Sequence, residues 1–322
     1  MTASPPAQSC ADMNIGILST SSIAPRFIAA VREEGSFQIT ALSSRTLEKA
    51  REKALGWGIP KAYGSHEDLL ADRDVDIVYI SAVNSAHYKW AKAALLADKH
   101  VICEKPCTTT ENQTRELFAI AKERKLFLME AQKMLFLPAV LAAKEAIRSG
   151  KLGTVRIAEF NHSFYGSYNN WMYDEAAGGG PLLSSAIYVV ELLQFLFDCD
   201  IAEVTGVCTK HPGTNVEEQY AISGRMENGV VFSLKNSTVA IMKNTACIYG
   251  EEGYVELPEY WKARKVIFSD GEQEFPCTHE LAYEVGHIAD CFKNGLLESP
   301  VVTGEFSARA IRVLERIKES WK

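Results

Sequence analysis

The chain has 322 residues, of which 47% are hydrophobic and 23% charged, the balance of a soluble globular protein of roughly two domains. Lys+Arg number 34 and Asp+Glu 41, so a formal net charge of −7 argues against general electrostatic attachment to nucleic acid or to an anionic membrane. No apolar run approaches the ~20 residues of a membrane span, and eight cysteines, none spaced C-x-x-C, are too few for a disulfide scaffold.

Residues 1–12 (MTASPPAQSCAD) have neither a basic start nor an apolar stretch and read as a disordered leader, with Met13 an alternative start. Free thiols and the lack of a targeting signal point to a cytoplasmic protein. Alternating elements follow. Asn14–Leu18 is a short apolar strand, and a helix runs from about Ser22 to Glu34, with Pro25 in its first turn. Phe37–Leu42 is β-rich and Leu47–Trp57 helical. Asp76–Ser81 is a nearly continuous apolar strand, as a parallel sheet covered on both faces requires. His87–Ala97 is helical and His100–Cys103 a strand. Thr110-x-x-Gln113 is a capping box for a helix ending near Arg124, and Leu126–Met129 is a further strand. Repeated βα units with short links imply a doubly wound, Rossmann-type parallel sheet over residues 13–132, with its crevice at the carboxyl ends of the strands.

Residues 133–322 change character. After a helix over Ala139–Arg148, strand signals dominate at Val155–Phe164, Glu203–Lys210, Gln219–Met226, Val230–Lys235 and Ala246–Tyr249. Asn228-Gly229 is a two-residue hairpin signal. A helix over Leu182–Phe197 interrupts the strands, and helices near Glu280–Lys293 and Glu305–Trp321 close the chain. The expectation is an α+β domain on an open, largely antiparallel sheet, with the last helix packing back on the first domain.

Several positions carry chemistry. In Ser19-Thr20-Ser21-Ser22-Ile23-Ala24, serines stand where a dinucleotide-binding turn usually has glycines. Small size and hydroxyl donors suit a phosphate, while an ordinary serine-capped helix start is the plain alternative. The next strand ends at Ser43-Ser44-Arg45-Thr46, with no acid for a ribose 2′-hydroxyl. A guanidinium there suits a 2′-phosphate and favours NADP, unless Arg45 is simply a surface arginine. Glu104-Lys105-Pro106 directly follows a strand, so Lys105 is held at the crevice, where an ammonium can bind a substrate oxygen. His100, Cys103 and Cys107 cluster, but no second ligand pair follows, and buried free thiols are the reading rather than a metal site. Asn161–Asp174 (NHSFYGSYNNWMYD) mixes rings and amides as a carbohydrate or diol site does, and equally as an ordinary strand and loop do. His162 within it reads as a packed or surface histidine.

Taken together, Ile15–Phe27 (IGILSTSSIAPRF), Ala62–Leu70 (AYGSHEDLL), Val83–His87 (VNSAH), His100–Pro106 (HVICEKP), Phe127–Ala131 (FLMEA), Gly178–Tyr188 (GGGPLLSSAIY) and Glu298–Val301 (ESPV) resemble the Gfo/Idh/MocA oxidoreductase family. The similarity is greatest to its dihydrodiol dehydrogenase and NADP-xylose dehydrogenase branch. The resemblance implies a nicotinamide cofactor across the first domain's crevice, NADP preferred and NAD possible. It places Ser19 to Ala24 at the pyrophosphate, Ser44 and Arg45 at the adenosine ribose, and Asn84 and His87 beside the ribose and nicotinamide. Lys105 matches the catalytic lysine, Glu104 its cofactor-side neighbour, and Tyr188 the proton donor or acceptor. A lysine cation near that phenol would lower its pKa from about 10. Trp171, Ser184 and Tyr283 fall at substrate-side positions. Ser184 stands where many members carry an aspartate, which leaves a catalytically inactive, cofactor-sensing regulator as the alternative. The expected substrate is a small polyol, sugar or cyclic diol, and the expected assembly a homodimer or homotetramer through the second sheet's open face.

Overall fold

The computed structural model describes residues 13–165 and 170–321; the leader and residues 166–169 of the aromatic segment lie outside the described residues. The first half contains β1 (Asn14–Leu18), α1 (Ala24–Glu34), β2 (Gln38–Ser43), α2 (Leu47–Trp57), β3 (Lys61–Tyr63), α3 (His66–Ala71), β4 (Ile77–Ile80), α4 (Asn84–Leu96), β5 (His100–Glu104), α5 (Glu111–Arg124) and β6 (Leu128–Ala131). Its six strands are all parallel, in the order β3-β2-β1-β4-β5-β6. The order reverses between β1 and β4, which opens a crevice at their carboxyl ends. Helices cover both faces. Ile15, Ile17, Ile77, Tyr79 and Ile102 pack into one core, while Leu18, Val78, Ile80, Val101 and Cys103 pack into the other. That two-sided burial is why β4 reads as an unbroken apolar run.

Three helices begin as hydroxyl capping requires. Thr46, Ser65 and Thr110 accept the backbone N–H of Lys49, Asp68 and Gln113. Helix α1 does not. It starts at Ala24 rather than Ser22, behind Ile23, with no side-chain cap and Pro25 in its first turn. The serines of the preceding turn are therefore not spent on capping, against the plain reading of that segment. β3 and α3, of three and six residues, are too short for periodicity to reveal.

A 3-10 turn (Lys133–Phe136) leads into α6 (Pro138–Arg148), β7 (Val155–Ser163), a π turn (Leu182–Ala186) continued by α7 (Ile187–Phe197), β8 (Ile201–Lys210), β9 (Glu217–Met226), β10 (Val231–Ser237), β11 (Thr245–Gly250), β12 (Tyr254–Pro258), β13 (Lys265–Phe268), β14 (Gly271–Glu274), α8 (Ala282–Lys293) and α9 (Gly304–Ser320). The eight strands form one sheet, β14-β13-β12-β11-β7-β10-β9-β8, antiparallel except where β7 pairs with β10. Strands β12 to β14 lie outside the strands expected from the sequence. The β9–β10 turn is one residue longer than the hairpin signal implied. Gly229 N–H bonds the Met226 carbonyl and Met226 N–H the Val230 carbonyl, with Gly229 left-handed at φ +90°. This is a type I turn closed by a left-handed glycine.

Helices α6 and α9 pack against one face of this sheet. The other face carries Ile157, Val207, Val231, Tyr249 and Tyr254, all exposed. The C-terminal segment returns to the first half. α9 packs on α5, Arg115 reaches Glu305 at 2.6 and 3.1 Å, and Leu128 N–H on β6 donates to the Leu297 carbonyl. Among the described residues, no helix is long and apolar enough to cross a membrane.

Candidate active site

The crevice of the parallel sheet meets the second half at the carboxyl ends of β5 and β6. β5 delivers Glu104, then Lys105, whose bond to Pro106 is cis. Lys105 Nζ donates to the Ser184 carbonyl at 2.8 Å and lies 4.5 Å from the centroid of the Tyr188 ring. Ser184 lies in the π turn, which shifts the backbone bonding register ahead of α7. Tyr188 is on the first turn of α7 and 6% exposed.

A residue the sequence reading passed over completes the cluster. Lys133, two positions past β6 and 7% exposed, points Nζ to the Tyr188 hydroxyl at 3.4 Å. The signal was present in the same form as for Lys105. A lone cation follows the end of a parallel strand, inside an otherwise apolar run (Met134-Leu135-Phe136-Leu137). Half-buried Glu104 and the buried acids Glu130, Glu191 and Glu284 surround these lysines. Tyr79 donates to Glu104 at 2.6 Å, with its ring stacked 3.7 Å from Phe27. Glu130 accepts Cys107 N–H at 2.8 Å, and Gln132 donates to Glu191. Both Glu284 oxygens lack a hydrogen-bond partner among the described residues.

Burial dominates the electrostatics. It lowers Lys105 from the usual lysine range, against the opposing pull of Glu104, Glu191 and Glu130. It lowers Lys133 to about 8. Glu191 is pushed well above the carboxylate range by burial and by Glu130, itself raised by burial. The two acids thus share protons rather than both ionising. Tyr188 moves upward too, through burial and then Glu104. This corrects the expectation that lysine neighbours lower its pKa. Desolvation of a buried phenol outweighs them, and at neutral pH Tyr188 holds its proton.

The proposed pyrophosphate turn lies between β1 and α1. Ser19 is held at φ +96°, and its N–H donates to the Ser43 carbonyl. Thr20 and Ile23 are half-buried, Ser22 is exposed, and Ala24 is buried. The Ser21 hydroxyl is buried without a hydrogen-bond partner among the described residues. At the end of β2, Ser44 is buried and its N–H donates to the Tyr63 carbonyl. Arg45 is exposed, with no hydrogen bond or ion pair among the described residues. An orphan hydroxyl, the open first turn of a helix and an unengaged guanidinium fit a phosphorylated dinucleotide.

Asn84 and His87 brace loops. Asn84 Nδ2 donates to the Gly178 carbonyl at 2.9 Å, tying α4 to the glycine run. His87 nitrogens lie 2.8 and 3.0 Å from the carbonyls of Pro106 and Ala82, and burial lowers the ring's pKa against the pull of those two hydrogen bonds. The run itself is fixed by Gly180. At its φ of +103°, a Cβ would lie 2.3 Å from Glu217 Oε1, the atom that accepts Leu182 N–H at 2.7 Å. The Ser184 hydroxyl donates to the Gly180 carbonyl at 2.8 Å. Trp171 lies in a 3-10 turn (Asn170–Tyr173) whose carbonyls border the run, and Tyr283 lies on α8 beside Glu284. Among the described residues, no hydrogen bond or ring contact joins either of them to Lys105 or Tyr188. His162 is a packed residue, stacked 4.1 Å from Trp261, with Nδ1 2.8 Å from the Tyr260 hydroxyl. His100 accepts Phe127 N–H, and Cys103 Sγ donates to the Cys107 carbonyl.

Comparison with known proteins bears on what this arrangement is. Residues 13–132 match the model of an oxidoreductase family with an NAD-binding Rossmann fold, and residues 140–256 match the GFO/IDH/MocA C-terminal domain. The chain is 30% identical over 321 residues to trans-1,2-dihydrobenzene-1,2-diol dehydrogenase of Mus musculus, covering 95% of this chain and 96% of the mouse protein. Two solved structures share the fold. One is the aldose-aldose oxidoreductase of Caulobacter crescentus complexed with glycerol (TM-score 0.87, 24% identity, covering 96% of this chain and 97% of the other). The second is a 3-ketoreductase from Actinomadura kijaniata in complex with NADP and TDP-benzene (TM-score 0.87, 23% identity, covering 96% and 98%).

Proposed function

The chain belongs to the Gfo/Idh/MocA family of NAD-binding Rossmann-fold oxidoreductases, and on that premise we propose that it transfers a hydride between a nicotinamide dinucleotide, NADP in preference to NAD, and the carbinol carbon of a small polyol, sugar or cyclic diol. The observation that carries this reading is Lys105 beside Tyr188 at the crevice, 4.5 Å from ammonium to ring centroid. Residues 13–132 serve as the cofactor half and 133–322 as the substrate half. The names of the mouse and Caulobacter proteins support a diol or sugar as substrate.

The dinucleotide, when bound, supplies the redox chemistry. Ser19 to Ala24 hold its pyrophosphate, Ser44 and Arg45 its adenosine ribose, and Asn84, His87 and Glu104 shape the nicotinamide side. Lys105 holds the substrate oxygen. Its desolvated ammonium interacts more strongly with a developing charge than an exposed one does. Tyr188, neutral at rest, carries the hydroxyl proton. Ser184 contributes a hydroxyl where many members have a carboxylate. Negative charge beside Lys105 comes instead from Glu104 and from the Glu130–Glu191 pair, all of which act on its ammonium. Trp171 and Tyr283 form the outer substrate wall, and the protein works in the cytoplasm.

Absorbance of the nicotinamide band across a panel of sugars and diols tests the reading. Lys105→Ala is expected to lower turnover roughly 10²–10³-fold with cofactor still bound. Near-native turnover in that variant would reject the assignment. Cofactor binding by the native chain, with no turnover on any panel member, would favour a cofactor-sensing regulator.

A further inference from the structure

Lys133 is a buried lysine that makes no ion pair among the described residues. Its hydrogen bond runs to the Tyr188 hydroxyl at 3.4 Å, and no carboxylate oxygen lies within ion-pair distance among the described residues. The charged and titratable groups acting on it come from every side: Glu104 at the end of β5 and Lys105 just after it, Arg26 on α1, Glu284 on α8 and Tyr188 on α7. Arg26 is itself paired with Glu280. Lys133 and Lys105 also flank the tyrosine ring, at 5.5 and 4.5 Å from its centroid.

Tyr188 meets a difficulty as a sole acid–base group. Its phenol is held protonated by burial, so it cannot accept a substrate proton unless it passes its own proton on. We propose that Lys133 is a positioning residue that acts through Tyr188, storing the proton that the tyrosine relays. This rests on the hydride-transfer reading above. In the oxidising direction, where the bound dinucleotide would take the carbinol hydride, the substrate's hydroxyl proton passes to Tyr188 Oη. The phenol's own proton passes at the same time to the neutral Lys133 amine, so the tyrosine stays neutral throughout. Reduction runs the same steps backward, with the Lys133 ammonium as the source. Burial supports the assignment, since it brings Lys133 to about 8, where both protonation states are populated near neutral pH.

The consequences have a definite sign. Oxidation needs the neutral amine, so its kcat should rise with pH through about 8 and level off above it. Lys133→Met should lower kcat roughly tenfold or more, leave KM little changed, and abolish that limb. Lys133→Arg keeps the charge but cannot accept a proton, so it should resemble Lys133→Met. In a Tyr188→Phe background, Lys133→Met should cost nothing further. A wild-type pH profile in either Lys133 variant, or additive losses with Tyr188→Phe, would overturn the proposal.

A second readout needs neither cofactor nor turnover. A lysine at about 8 when folded and 10.5 when unfolded binds fewer protons in the native state between those values. The wild-type chain should therefore gain stability relative to Lys133→Met as pH rises from 8 to 10.5. A difference in melting temperature that stays flat with pH would overturn the buried-store assignment. Should the native chain oxidise no substrate at all, the hydride-transfer reading fails, and the melting series still decides whether Lys133 holds a displaced proton equilibrium.

Discussion

At residue scale, two positions show how this site departs from a glycine-rich dinucleotide turn. Ser19 is a non-glycine residue held at φ +96°, where an L side chain is strained by roughly 1–3 kcal/mol. Ser19→Gly relieves that strain and gives back part of it as unfolded-chain entropy. The expected outcome is a net gain of about 0.5–1 kcal/mol in denaturant unfolding; a loss of stability would show that the serine hydroxyl matters more than the backbone. Arg45 is the second position. If its free guanidinium meets the 2′-phosphate, Arg45→Ala should weaken NADP+ roughly 10–100-fold and leave NAD+ nearly unaffected, read by titrating both nucleotides. Equal binding of NAD+ and NADP+ by the native chain would count against the preference. Lys105 and Tyr188 were legible in the sequence because each lies in a short motif next to an element boundary. Lys133 follows β6 as Lys105 follows β5, but no short motif marks it, and its hydrogen bond to Tyr188 is made only by the fold. The upward shift of Tyr188 was not legible, since burial depth is not written in a motif.

At the scale of elements, unbroken apolar runs between turn signals could be read, and short mixed or polar segments could not. The apolar runs of β1, β4 and β5 declare a two-sided sheet, whereas β3, β13 and β14, of three to four residues each, carry no usable period. The start of α1 was misplaced because serine normally caps, and here Ile23 precedes the first turn while the serines line the crevice. The glycine run and π turn form one device. Gly180 accepts the Ser184 hydroxyl, and Ser184 accepts the Lys105 ammonium, so the backbone that feeds α7 also aims the lysine. Gly180→Ala would force a left-handed alanine against Glu217, at a cost of roughly 1–3 kcal/mol. Turnover is expected to fall further than stability alone explains, because Lys105 loses its carbonyl anchor. Activity and circular dichroism measured together check this; a folded variant with native kcat would dissociate the turn from the site.

At the scale of the whole molecule, no described residue covers one face of the eight-stranded sheet, where Ile157, Val231, Tyr249 and Tyr254 lie side by side in register. A contiguous apolar patch of this kind marks an association surface. Light scattering at micromolar concentration is expected to give a dimer or tetramer, and Val231→Lys with Ile157→Lys a monomer. A native monomer would remove the sheet face from consideration.

The return of the C-terminus has a consequence for how the chain is made. β6 is the outer strand of the first sheet, and its Leu128 N–H is satisfied by Leu297, while α9 covers α5. Both partners lie near the end of the sequence. During synthesis, the outer edge at β6 and the face of α5 therefore stay open until α9 has been made. An exposed strand edge is a template for mispairing. Residues 13–132 are thus closed by segments far along the chain, which makes the docking of α9 the step on which a chaperone would have most to act.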